Sequence, residues 1–128
     1  MIPKFRCWDE RLGLTEVVSI DFFRKKIKIN HWEYGDSNFF PLDEVVLMQS
    51  TGLKDMNGVD IFEGDIVFDR WANKYTPVFQ NGIYMAYNPK NLMQNDPSTQ
   101  FNIIWKDGCE VIGNIYENPE LLEQADEN

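Results

Sequence analysis

Apolar and polar residues alternate over short stretches, and Asn-Gly or Asp-Gly pairs fall between several of them. This pattern constrains the chain most, because a period of two puts side chains on opposite faces of a strand. In Lys4-Phe5-Arg6-Cys7-Trp8, Phe5 and Cys7 fall on one side and Lys4 and Arg6 on the other. Lys26-Ile27-Lys28-Ile29 alternates in the same way, which predicts a strand with its lysines in solvent. Val17 to Phe23, Val45 to Met48 and Asp65 to Asp69 are rich in β-branched and aromatic residues and predict further strands. Asn81-Gly82 lies between Val78–Gln80 and Ile83–Tyr87, a hairpin signal. Lys106-Asp107-Gly108-Cys109 predicts a second hairpin, joining Phe101–Trp105 to Glu110–Tyr116. Residues 88–100 hold two prolines and little periodicity, so they read as a loop. Asn118-Pro119-Glu120 predicts a helix start, with Asn as the cap, Pro at the first helical position and an acid in the first turn. Short strands with Gly and Asn turns predict a mainly β, antiparallel fold with a minor helical part, a barrel or sandwich.

Charge narrows the functional classes. Of 128 residues, 12 are Lys or Arg and 21 Asp or Glu, a formal net charge of -9. Residues 1–34 carry seven basic and five acidic side chains, so all the excess acid lies further on. A negative field opposes indiscriminate nucleic-acid binding, which needs clustered cations. With 43% hydrophobic and 14% aromatic residues, the chain is too apolar for a disordered acidic tail. No apolar run approaches the roughly 18 residues of a membrane span. The opening MIPKFRCWDE lacks an apolar signal segment, so the expected compartment is the cytoplasm.

Catalytic signatures are absent from the sequence: there is no phosphate-binding glycine loop, serine elbow or dinucleotide fingerprint. Asp55-Met56-Asn57-Gly58-Val59-Asp60 looks like the start of a calcium loop. However, its glycine is fourth instead of sixth, and the twelfth residue is Ile66 instead of Glu. An acid-flanked turn is the simpler reading. Cys7, Cys109 and the single histidine, His31, lack the spacing of a zinc site. Both cysteines read as small hydrophobes. Asp60, Glu63 and Asp65 would act as a hydrolytic or metal-dependent site only by converging in one cleft. The sequence therefore predicts no catalytic residue, no metal and no cofactor.

Two groups of residues are candidates for partner binding. Arg24, Lys25, Lys26 and Lys28 form the basic cluster, with Phe22, Phe23 and Trp32 nearby. Cations among aromatics can serve as a single-stranded nucleic-acid platform, but an edge strand guarded by lysines has the same sequence. The second group is Trp71, Tyr75, Tyr84 and Tyr87, aromatics near predicted loops that could anchor a protein interface.

Three segments, taken in order, resemble the YopX family. They are Lys4–Asp9; Thr51-Gly52-Leu53-Lys54-Asp55-Met56-Asn57-Gly58 with Ile61-Phe62-Glu63-Gly64-Asp65-Ile66-Val67; and Val111-Ile112-Gly113-Asn114-Ile115-Tyr116-Glu117-Asn118-Pro119-Glu120-Leu121-Leu122. The resemblance implies a phage or prophage origin, a bacterial host cytoplasm and a mostly β fold, and it brings no catalytic residues. Residues 1–128 then form one YopX-like domain. It comprises an N-terminal β subdomain over 1–50, an SH3-like barrel or roll over 51–123 closed by a short helix, and a frayed acidic tail over 124–128. Gly64-Asp65 has the form of a glycine turn whose acid bonds the turn amides. The expected function is non-enzymatic: binding a protein, either a host factor or a second copy of the chain, through the acidic surface or the exposed aromatics. The alternative is a nucleic-acid module built on residues 24–28.

Overall fold

A computed structural model describes residues 4–30, 39–88 and 99–121. The chain divides into two compact units, residues 1–50 and 51–128. Both are built from antiparallel strands, as the alternation requires.

In the first unit, β1 (Phe5–Asp9) pairs with β2 (Gly13–Asp21), β2 with β3 (Lys26–Asn30), and β3 with β4 (Phe39–Pro41). A 3-10 turn at Leu42–Glu44 leads into β5 (Val46–Lys54), which returns to pair with β1. The inward row of this alternating pattern forms the core: Cys7, Ile27 and Ile29 are fully buried, with Val17, Ile20, Phe40 and Val45 packed around them. Ile27 and Ile29 point inward and Lys26 is exposed, as predicted, whereas Lys28 is half-buried. Two expectations need correction. The basic strand is not an edge, because Lys26–Lys28 pair with Pro41–Phe39 of β4. The expected strand through Phe23 stops at Asp21, and Phe22 to Lys25 form the β2–β3 turn.

β5 carries the chain into the second unit, and its other neighbour is β6 (Asp60–Phe62). A five-stranded sheet follows in the order β10-β9-β8-β7-β11. Its strands are β7 (Asp65–Asp69), β8 (Lys74–Gln80), β9 (Ile83–Tyr87), β10 (Thr99–Gln100) and β11 (Cys109–Asn114). Among the described residues the pairing does not close this sheet into the expected barrel. Asn81 and Gly82 take φ values of 54° and 88°, making the predicted two-residue turn between β8 and β9.

Phe101–Trp105 was expected as a strand but lies in a helix, α1 (Phe101–Lys106). Alternation would bury Ile103, which is instead exposed. The helical spacing decides the matter: Phe101 is buried, Ile104 packs against the core, and Trp105 Nε1 donates to the Lys54 carbonyl at 2.7 Å. Ile61, Val67, Ala86 and Cys109 complete that core.

The predicted closing helix begins as a helical turn at Glu120–Leu121, and its continuation and the acidic tail lie outside the described residues. The Asn118 carboxamide has a task other than capping. Its oxygen accepts the Asn114 N–H at 3.1 Å, beside the bulge in β11 between Val111 and Gly113. A Cβ on Gly113 would lie 2.5 Å from that oxygen and 3.1 Å from Leu121 Cδ1. Glycine is required there by close approach, not by a positive φ.

Candidate interaction surfaces

Aspartates fix several of the described turns. A carboxylate one residue ahead of a turn accepts turn amides that would otherwise be unpaired. Asp21 Oδ1 accepts the Arg24 N–H at 2.9 Å, and Oδ2 pairs with Arg24 Nη1 at 3.0 Å. These bonds hold the Asp21 carboxyl below its usual pKa, the backbone one first. Lys25 adopts a φ of 55°, and its carbonyl accepts the Leu42 N–H at 2.8 Å. The turn is thus tied at both ends. At its apex Phe22 is 67% and Phe23 91% exposed.

Asp69 builds a second turn of this kind. Its Oδ1 accepts the N–H groups of Trp71 and Asn73 at 2.9 and 2.8 Å. Trp71 is left 60% exposed, with the Arg70 guanidinium 4.9 Å from its ring centroid. Asp55, the first residue of the calcium-like segment, also serves architecture. Its Oδ1 accepts the N–H groups of Asn57 and Val59, and Oδ2 that of Val111, all within 2.8–2.9 Å. Burial pushes its pKa up, but the three amide donors outweigh it and the net shift is downward. Met56 is exposed at the apex.

The candidate residues distribute unevenly. Arg24 and Lys25 sit in the turn, and Lys26 and Lys28 lie along β3, with Lys28 Nζ 5.8 Å from the Phe39 ring centroid. Trp32 and His31 fall outside the described residues. Of the second aromatic group only Trp71 is openly exposed. Tyr75 and Tyr84 pack against the core, and Tyr84 stacks obliquely on Phe79 at 5.0 Å. Burial raises both phenol pKa values, assisted by Asp69 and Glu63 respectively. Tyr87, expected at a surface, is 2% exposed and donates its hydroxyl to Gln80 Oε1.

The acidic trio serves structural roles at two of its members. Asp65 is buried and accepts the Phe62 N–H at 2.8 Å, the glycine-turn bond expected of Gly64-Asp65. Asp60 lies 4.0 Å from Lys54 Nζ. Cys7 and Cys109 are buried free thiols in the cores of different units. Each is pushed up to about 11, chiefly by burial and then by nearby carboxylates. At neutral pH they are protonated and inert. No helix among the described residues is long and apolar enough to cross a membrane.

Sequence reasoning missed a cleft in the first unit. Trp8 and Val46, cross-strand partners in β1 and β5, line it together with Asp9, Glu10, Arg11 and Glu44, around a space of about 380 Å³. Arg11 Nε pairs with Asp9 Oδ1 at 3.0 Å, and Nη2 lies 3.8 Å from Glu44 Oε2. The Arg11 side chain, first by its hydrogen bond, holds Asp9 below its usual pKa. No local signal could have shown this site, since Glu44 reaches Arg11 only through the return of β5 to β1.

Comparison with known proteins agrees with the fold. The family model described as YopX protein matches residues 4–123. The crystal structure of protein EF1440 from Enterococcus faecalis is similar at a TM-score of 0.62 and 31% identity, covering 95% of this chain and 99% of that one. No curated protein matches the chain.

Proposed function

Since the chain belongs to the YopX family, and that membership names no reaction, we propose that it is a non-enzymatic interaction protein that docks through its Phe22–Lys25 turn. One observation carries this reading: two adjacent phenylalanines stand in solvent on a turn that Asp21 holds fixed. Burying a Phe side chain is worth about 1.5–3 kcal/mol, so leaving two exposed forgoes several kcal/mol that a partner can recover. Because the turn is already ordered, little conformational entropy is lost on docking. Arg24 and Lys25 beside the rings favour an acidic partner surface.

The test compares wild type with Phe22→Ser/Phe23→Ser. The variant should melt with the wild type, since these rings support no core, and its protein association should fall at least tenfold by light scattering and by retention of partners on immobilised protein. A wild type that is monomeric and retains no protein overturns the reading, as does association undiminished in the variant.

Lys26, Lys28 and Phe39 favour a second reading, nucleic-acid binding on the face that carries them. The net charge of -9 opposes it.

A further inference from the structure

We infer that the partner of the Phe22–Lys25 turn is a second copy of this chain, and that the turn enters that copy's Trp8–Val46 cleft. This inference rests on the docking role of the turn and adds its receptor. The two surfaces match in two independent ways. The turn offers aromatic rings, and the open cleft offers the apolar groups of Trp8 and Val46 beside a space of about 380 Å³. The turn and the start of β3 carry Arg24, Lys25 and Lys26 against one acid, Asp21. The cleft carries Asp9, Glu10 and Glu44 against one cation, Arg11. Apolar centre meets apolar centre, and a cationic rim meets an anionic one.

The turn does not fill the cleft of its own chain. Phe23 is 91% exposed, and the turn is held where it is by the Asp21–Arg24 bonds and by the Lys25 carbonyl's bond to the Leu42 N–H. Donor and acceptor surfaces are therefore different patches of one unit, so copies can join head to tail or exchange turns reciprocally across a two-fold axis. Joined head to tail, an open chain of copies ends in a free turn on one side and a free cleft on the other. Such contacts close into a ring or continue as a filament.

This arrangement can be tested by complementation, with sedimentation as the readout. Phe23→Asp disables the turn and leaves the cleft intact. Glu10→Lys with Glu44→Lys disables the cleft and leaves the turn intact. Wild type should sediment at a multiple of 15.1 kDa and each variant alone at 15.1 kDa. Their equimolar mixture should form a 1:1 complex of twice that mass and no larger, because only one intact turn–cleft pair remains. Circular dichroism checks the fold, and Phe23→Ser replaces Phe23→Asp if the charge disturbs the turn. A mixture that stays at 15.1 kDa while wild type assembles overturns the inference in favour of a self-complementary contact. Variants that keep the wild-type mass also overturn it. A wild type that is monomeric yet retains another protein through Phe23 rejects self-docking and leaves the docking role of the turn standing.

Discussion

At the scale of single residues, the aspartates explain how loops of this composition stay ordered. Asp55 is the clearest case, because it joins its own turn to β11 through the Val111 amide. Asp55→Asn keeps one oxygen but turns an NH2 group toward a backbone donor. The expected cost is about 1–3 kcal/mol, read as a lower urea midpoint. The pH dependence has a definite sign. Asp55 has its pKa lowered by folding, so its contribution is complete above the ordinary value of 3.8 and is lost as pH falls through the lower folded value. The difference in midpoint between wild type and Asp55→Asn should therefore shrink from pH 6 toward pH 3. A difference that is constant with pH would remove Asp55 from the acid response. The sequence identified the segment as an acid-flanked turn but could not show the reach to Val111, a contact that spans 56 positions.

Elements were legible where a local pattern and the tertiary environment agreed. Lys26–Ile29 alternates, Asp65–Asp69 is rich in β-branched and aromatic residues, and both are strands; Asn81-Gly82 turns where its backbone preference says it should. Phe101–Lys106 was ambiguous: both periods fit Phe101 and Trp105, and only the packing of Ile104 selects the helix. β11 and the turn after it depend on one missing side chain. Gly113→Ala should push the Asn118 carboxamide off the Asn114 N–H and move Leu121, at a cost on the order of 2 kcal/mol. Because the strain comes from Asn118, Asn118→Ala should make Gly113→Ala cheaper, and a double-mutant cycle measures this. Strictly additive effects would place the glycine requirement elsewhere. The candidate surfaces were half legible. Phe22 and Phe23 were visible as neighbours of the basic cluster, but the strand reading hid them because nothing local announces where β2 must stop. The cleft was illegible because its walls come from chain segments more than 30 positions apart.

At the scale of the whole molecule, charge is partitioned between the units. Residues 1–50 hold seven basic and eight acidic side chains, and residues 51–128 hold five basic and 13 acidic. Such a field repels phosphate backbones, so neither single-stranded nor duplex DNA should shift in gels even at low salt. A shift abolished by Lys26→Glu/Lys28→Glu would promote the nucleic-acid reading over the protein one. The turns that display Phe23, Met56 and Trp71 have a consequence for how such a protein can diversify. Their backbones are held by carboxylate bonds from Asp21, Asp55 and Asp69 to turn amides, and none of these bonds uses the side chain of Phe23, Met56 or Trp71. Apex residues can therefore change without loss of the aspartate bonds that shape these turns, so a lineage can vary what the turns display while inheriting one fold.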